Sequence, residues 1–288
     1  MLEKLPIYQA VILLSLGACT QSHPRSNESY PEPAHTPVTT MEAESWTPQI
    51  VSGRYEYFIS DTSFVSINND TSQQVLPIET TTNYTLTIGG TAGDSFSISG
   101  KVDSATVNSR LRTKAQTGDT ATVSELHAIL TKRGELRLHT QQQSLSCSSS
   151  SNSIVSRIYE LVIPHLLDKI KIGDKWTDTV SSTNCHGKTP LTQQMIRQFE
   201  VQAFTTWHNR DAVQVKRLVN ITFTGTSTEP NTHLQATGSG SGDAELFLDR
   251  KTALLLDSNG QTKSTVMIIT SRGQFPFTQL TSTHITTR

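Results

Sequence analysis

The chain has 288 residues, carries a formal net charge of −1 at pH 7 and is 34% hydrophobic. This balance argues against nucleic acid as a partner, because a protein that neutralises phosphates needs a concentrated basic surface, and no run of Lys and Arg here is longer than two residues. About a quarter of the residues are Ser or Thr. Threonine suits a pleated, half-exposed surface, so the composition predicts antiparallel sheet with one solvated face.

Residues 1–18 have the pattern of a cleaved export signal. Lys4 gives a small positive start, residues 5–16 are mostly apolar, and small residues come just before Cys19. The apolar stretch is too short to cross a bilayer, which takes about 20 residues. We therefore expect it to be removed from the mature protein rather than to span a membrane.

The four residues Leu16-Gly17-Ala18-Cys19 resemble the lipobox of bacterial lipoproteins. The resemblance implies that Cys19 becomes the new N-terminus, that it carries at least two acyl chains, palmitate among them, and that the membrane is a partner through this lipid. Thr20, in place of aspartate, resembles the outer-membrane sorting choice of Gram-negative lipoproteins. The alternative is an ordinary signal peptide with an incidental cysteine.

Residues 19–50 are expected to form a disordered tether between the lipidated cysteine and the folded part. The segment lacks apolar periodicity, and its prolines remove backbone donors and keep the chain extended. These prolines are Pro24, Pro31, Pro33, Pro37 and Pro48. Trp46 is predicted to be the start of the folded part.

Residues 51–143 show the two-residue alternation of strands joined by hairpins. Turns are predicted at residues 89–94 and 132–135, and Gly100 is predicted to be a bulge or a place of close approach. We read this segment as an N-terminal antiparallel β-meander.

Residues 144–172 form a predicted connector that carries one amphipathic helix, residues 152–163. Its apolar positions fall on one helical stripe, with N-cap candidates before it and Pro164 after it. The stripe consists of Ile154, Val155, Ile158, Leu161 and Val162.

Residues 173–288 are predicted to form a C-terminal β-meander that repeats the first. A turn is expected at residues 208–211, a polar loop around Gly238, Gly240 and Gly242, and a further hairpin at Asn259-Gly260, a dipeptide typical of tight turns. The fold class is thus mostly β, with two antiparallel meander halves, in one curved sheet or half-barrel, joined by one helix. Chance alternation is the alternative to a true repeat.

Cys147 and Cys185 are left as an even pair once Cys19 is lipidated, and in an exported protein such a pair is expected to form a disulfide bond. Two free thiols are the alternative. Neither cysteine belongs to a C-x-x-C unit, so a zinc site is not expected.

No motif in the sequence indicates catalysis. Cys185-His186 are strand neighbours that point to opposite faces, Gly187-Lys188-Thr189 lacks the glycine of a phosphate-binding loop, and no G-x-S-x-G or paired-histidine helix occurs. We therefore expect no cofactor and no metal, and favour a protein that is not an enzyme. Trp176, beside the connector, is the candidate for a ligand-facing residue.

The segment Gly173-Asp174-Lys175-Trp176 and the paired hairpins resemble uncharacterised β-rich lipoproteins of the bacterial envelope, which have no assigned activity. The sequence accordingly predicts a lipid-anchored envelope protein with a non-catalytic binding or scaffolding role, whose partner is a hydrophobic ligand or another envelope protein. A half-barrel carrier for a hydrophobic ligand or for lipoproteins is one alternative. A lipid-anchored hydrolase with no recognisable motif is another.

Overall fold

The computed structural model describes residues 44–69, 72–93, 95–109, 125–131, 136–138, 157–163, 168–186, 189–226, 234–271 and 273–288. The described strands are β1 (Ser45–Trp46), β2 (Gly53–Asn69), β3 (Ser72–Ala92), β4 (Ser95–Ser109), β5 (Glu125–Thr131), β6 (Leu136–Leu138), β7 (Ile170–Lys171), β8 (Lys175–His186), β9 (Thr189–Trp207), β10 (Arg210–Thr226), β11 (Leu234–Asp249), β12 (Leu255–Thr270) and β13 (Gly273–Thr287).

Eleven of these strands form one antiparallel sheet in the order β6-β5-β4-β3-β2-β13-β12-β11-β10-β9-β8. The sheet consists of two meanders, β2–β6 and β8–β13, which join edge to edge because β2 pairs with β13. The prediction of a mostly β protein built from two antiparallel meanders is confirmed, and the two halves share a single sheet.

Alternation of side chains along each strand gives the sheet one buried and one solvated face. On β10 the odd positions Val213, Val215, Val219, Ile221 and Phe223 are buried, whereas the intervening positions from Lys216 onward are exposed or half-buried. We call the buried side of the sheet its inner face. This pattern is the physical counterpart of the two-residue period in the sequence.

The predicted turn at residues 208–211 lies at the β9–β10 hairpin, where Trp207 pairs with Arg210. His208 and Asn209 form the two-residue loop, and both have positive φ angles, 46° and 63°. Two such residues in sequence match the right-handed twist of the flanking strands, which is why this loop type closes tight hairpins.

Two predictions for the second meander are wrong. Asn259-Gly260 lies inside β12, with Gly260 opposite Ala244 of β11, so the chain forms no hairpin at this dipeptide. The three glycines predicted to mark a loop lie in β11. A Cβ at Gly240 would come within 2.8 Å of the Lys263 carbonyl oxygen on β12, so glycine here allows close approach of strand backbones, not a turn.

The predicted connector helix is described only in part. Residues 157–161 are helical, and Val162 N donates to the Ile158 carbonyl oxygen at 2.9 Å; residues 152–156 lie outside the described residues. We call residues 157–163 the inner helix, because Ile158 and Leu161 are fully buried against the sheet. A Cβ at Gly100 would lie 2.9 Å from Ile158 Cδ1, which confirms Gly100 as a place of close approach.

Trp46 belongs to the folded part, as predicted. β1 pairs with β7 through Trp46 opposite Ile170, and the indole Nε1 of Trp46 donates to the Arg250 carbonyl oxygen at 2.9 Å. The side chain is only 5% exposed. Residues 19–43 of the predicted tether, like the signal segment, lie outside the described residues.

Most of the core consists of two apolar clusters on the inner face, and a third, small cluster contains Ala212, Phe247 and Leu256. Cluster 1 includes Tyr57, Leu86, Leu126, Phe199 and Leu246 together with the inner helix. Cluster 2 includes Val65, Ile78, Ile221, Phe223 and Val266. Tyr159 of the inner helix packs against both clusters, so this helix lies where they meet.

Candidate ligand-binding interior

A belt of buried polar side chains lies on the inner face between the two clusters. Successive strands contribute one or two members each at neighbouring register positions. Examples are Asp61, Ser63, Thr281, Thr283, Arg197 and Arg217, each at most 6% exposed. Polar groups removed from water destabilise a protein unless they are hydrogen-bonded, so the partners of the charged members determine what the belt can do.

Arg157 fixes the inner helix to the sheet. Its guanidinium binds the Asp61 carboxylate on β2 and donates to Glu160 Oε2 at 2.7 Å, and its side chain is 5% exposed. Thr283 on β13 donates a further hydrogen bond to Asp61. Burial by itself lowers the pKa of Arg157, but the two carboxylates raise this pKa above its ordinary value, so the guanidinium stays charged.

Arg197 makes the second buried attachment. Its Nε donates to Asp178 Oδ1 at 2.8 Å, a second nitrogen binds the other carboxylate oxygen, and its remaining terminal nitrogen donates to the Tyr159 carbonyl oxygen. The guanidinium also lies 5.4 Å from the centre of the Phe199 ring. This arginine therefore ties β8 and β9 to the inner helix with all three nitrogens engaged.

Arg217 differs from these two arginines. It is 6% exposed, and within the described part of the chain its guanidinium has no carboxylate partner, while its Nε is buried with no hydrogen-bond acceptor. Arginine stays protonated in proteins, so burial cannot be relieved by loss of the proton. Among the described cations of the belt, Arg217 is the one for which the described residues supply no counter-ion.

Trp176, the predicted ligand-facing residue, lies on the inner face in the same row of cross-strand partners as Arg217. Cross-strand pairing places it opposite Phe199, which is opposite Arg217. Its ring stacks on Phe199 with centroids 5.3 Å apart, and its indole Nε1 is buried with no acceptor among the described residues. With strands about 4.8 Å apart, the Cα atoms of Trp176 and Arg217 are separated by about 10 Å.

The remaining neighbours of Arg217 on β11 and β12 are small. It lies opposite Ala244, and Ala244 lies opposite Gly260. The nearest carboxylate along this row is Asp61, four strands from β10, and Asp61 is already bound by Arg157 and Thr283. The row therefore offers two unused donors, an aromatic pair and a stretch without bulky side chains.

A hydrolase arrangement is not assembled on the outer face. His284 Nε2 lies 3.1 Å from Asp257 Oδ2, and Ser60 is its cross-strand partner on β2. Within the described residues, however, Ser60 makes no hydrogen bond to His284, and a serine nucleophile needs this contact with its base. The three side chains do not form a catalytic set in this structure.

An exposed cleft of about 230 Å³ lies at one end of the sheet and is lined by three arginines, Arg54, Arg210 and Arg288. Arg54 pairs with Glu56 at 2.9 Å, and Arg210 binds Asp249. Arg288 lies 5.2 Å from the centre of the Phe58 ring. These side chains have partners within the protein, unlike Arg217.

The other predicted site residues are largely untested by the structure. Cys19 and Cys147 lie outside the described residues, and Cys185 is in β8 with only its backbone described. Among the described residues, no three His, Cys, Asp or Glu side chains converge in a way that could hold a metal ion. Within the same part of the chain, no helix has the length and apolarity needed to cross a membrane.

Sequence reasoning missed Arg217, Arg197 and Asp61, although a signal for them was present. Arg217 interrupts the inward series Val213, Val215, Val219 and Ile221 at the same parity. An ionisable residue at an inward position of an otherwise apolar series is the pattern that would have identified these residues.

Comparison with known proteins leaves the chain without a family. No family model matches it, and no curated protein matches it. Among solved structures, DynF from the dynemicin biosynthesis pathway of Micromonospora chersina is similar over 92% of both chains, with 7% identity and a TM-score of 0.23. An outer membrane channel from Pseudomonas putida F1 is similar over 84% of this chain and 98% of its own, with 7% identity and a TM-score of 0.22. At these scores the likeness carries no argument about fold or function.

Proposed function

We propose that the protein is a lipid-anchored protein of the bacterial cell envelope that binds a hydrophobic ligand on the inner face of its sheet and does not catalyse a reaction. The observation that carries the binding role is the row Trp176–Phe199–Arg217, in which two buried donors beside large apolar clusters have no acceptor among the described residues. Buried donors without acceptors destabilise a fold. A bound ligand that accepts hydrogen bonds from these donors offsets this cost.

Native mass spectrometry tests this role. Residues 20–288, which lack the lipidated cysteine, are exported with a cleavable leader and purified from the periplasm without detergent. A bound small molecule that dissociates on activation is expected, and its mass gives the substrate class. A clean ligand-free mass, unchanged after incubation with envelope lipid extract, would contradict ligand binding and favour a scaffold. A mass two hydrogens below that of the reduced chain is expected from a Cys147–Cys185 disulfide bond.

The anchor proposal rests on Cys19 and the lipobox that it completes. One acyl chain holds a protein on a membrane only marginally, whereas two give stable anchoring. We expect Cys19→Ser to release the domain into the periplasm or to leave the precursor unprocessed. Mature-sized Cys19→Ser protein that still sediments with membranes would contradict the lipid anchor.

Thr20→Asp is the matched variant for localisation. It keeps the acylated cysteine and changes only the residue that follows it, so membrane association is expected to persist. If Thr20 directs outer-membrane sorting, the variant shifts to the inner-membrane fraction of a sucrose gradient. An unchanged distribution would contradict the sorting role of Thr20 while leaving the anchor itself supported, and unmodified protein in the inner-membrane fraction would contradict the outer-membrane location.

A further inference from the structure

We infer that the ligand carries an oxyanion head group, a carboxylate or a phosphate, and that Arg217 binds this group within the interior. The inference rests on the proposed ligand-binding function and specifies its chemistry. The buried guanidinium, which has no counter-ion among the described residues, the indole donor two strands away and the small side chains beside them form a head-group site for an anionic amphiphile.

The three belt arginines provide an internal comparison. Arg157 and Arg197 are buried to the same degree as Arg217, and each of them binds at least one carboxylate of the protein. The fold therefore supplies counter-ions where an arginine has a structural role. Arg217 has none in the described part of the chain, and its charge is permanent, which favours an anion from outside the protein as the partner.

The geometry of the site favours an oxyanion over a neutral acceptor. A guanidinium presents a planar fork of N–H donors that matches the two oxygens of a carboxylate or phosphate. Trp176 Nε1 offers another donor on the same row. Both donors require acceptors, and no acidic side chain of the row remains unbound to supply them.

The apolar surroundings match the rest of an amphiphile. Phe199, on which the Trp176 ring stacks, lies between Trp176 and Arg217. Cluster 1 continues from Phe199 toward Val201, Val213 and Val215. Ala244 and Gly260 on the other side of Arg217 leave no bulky side chain opposite the guanidinium. An alkyl chain can thus contact apolar side chains while its head group meets Arg217.

A matched set of three probes tests the inference on the unlipidated chain, residues 20–288. The probes are dodecanoate, dodecyl phosphate and uncharged methyl dodecanoate, titrated by calorimetry below the micelle concentration of the two charged probes and below the solubility limit of the ester. We expect at least one of the two charged probes to bind tenfold or more tightly than the ester. Dodecanoate and dodecyl phosphate together distinguish a carboxylate from a phosphate head group.

Arg217→Met removes the charge while it keeps an unbranched side chain, and Lys216→Met is the matched control because Lys216 lies on the outer face of the same strand. The first variant is expected to reduce the affinity for the charged probe to that of the ester. The control is expected to retain the preference of the unmodified protein.

The outcomes separate the inference from the proposed function. Equal affinity for acid, phosphate and ester, or an Arg217→Met variant that keeps the preference, would overturn the head-group site while ligand binding stands. Failure to bind any probe would overturn both. If Arg217→Met does not fold, the comparison of charged and uncharged probes with the unmodified protein decides alone.

Discussion

The attachment of the inner helix through Asp61 and Arg157 leads to a quantitative prediction for stability. Asp61 is 1% exposed and binds the Arg157 guanidinium and the Thr283 hydroxyl. Asp61→Asn keeps the shape but removes the charge, so Arg157 keeps only Glu160 as a buried counter-ion. Breaking a buried ion pair by removal of one partner costs about 3–5 kcal/mol, and the remaining carboxylate puts this variant near the lower end, about 3 kcal/mol.

A loss of this size is a large part of the roughly 5–15 kcal/mol by which such proteins are stable. Urea unfolding followed by tryptophan fluorescence measures it, since Trp46 and Trp176 are buried in the folded state. The control is Glu56→Gln, because Glu56 pairs with Arg54 at 2.9 Å on the surface and exposed pairs contribute about 0–1 kcal/mol. If both variants unfold at the same urea concentration as the unmodified protein, the reasoning about the buried pair fails.

A double variant distinguishes loss of the pair from general damage. Arg157→Leu alone leaves two buried carboxylates, Asp61 and Glu160, without their counter-ion, whereas replacing both Asp61 and Arg157 by leucine leaves only Glu160 unpaired. Because each unpaired buried charge is destabilising, we expect the double variant to be more stable than Arg157→Leu alone. A double variant that is destabilised by the sum of the two single changes would show that the two side chains do not interact.

Two further predictions concern the packing and ionisation of buried tyrosines. Gly100→Ala places a methyl group against the Tyr84 hydroxyl and 2.9 Å from Ile158 Cδ1, and we expect about 1–3 kcal/mol of destabilisation. Tyr84→Phe removes the hydroxyl and is expected to relieve part of this loss. If urea unfolding shows that the effects of the two substitutions are additive, the contact between residues 100 and 84 is contradicted. Burial raises the pKa of Tyr57 and of Tyr84 above the ordinary value, so both phenols stay neutral in the folded protein. The contribution of these neutral phenols to the free energy of unfolding is complete below the unfolded-state pKa near 10. It is lost as the pH rises above that value. Alkaline unfolding, followed by circular dichroism, is expected to shift to higher pH in Tyr57→Phe, and an unchanged midpoint would contradict the assignment.

The strands could be predicted from sequence because the pattern that indicates a strand lies within a few consecutive residues. A one-face burial pattern gives a two-residue period, and this period identified both meanders and the hairpin at His208-Asn209. Glycine was the source of the errors. The same residue serves a turn through positive φ and a strand through the absence of a Cβ, so Asn259-Gly260 and the glycines of β11 were read as turns although close backbone contacts explain them.

The belt could not be predicted because its partners are distant in sequence. Asp61 and Arg157 are 96 positions apart, and Asp61 and Thr283 are 222 apart, so the pairing exists only after β2, β13 and the inner helix have come together. What sequence can detect is the violation itself, a charged residue at an inward position. The structure then shows which of these buried charges have a counter-ion and that Arg217 has none among the described residues.

Arg217 is informative because no structural role accounts for it. In a sequence that specifies a fold, the local propensities, the hydrophobic pattern and the packing all favour the same structure. Residues that break this agreement concentrate at functional sites. Replacement of an unpaired buried charge by an apolar side chain removes its desolvation cost, so a protein selected for stability alone has no reason to keep arginine at this position. The measurement that follows is the melting temperature of ligand-free Arg217→Met, which we expect to be higher than that of the unmodified protein. A lower melting temperature in the ligand-free state would mean that Arg217 stabilises the fold, and the argument for its role in binding would lose its basis.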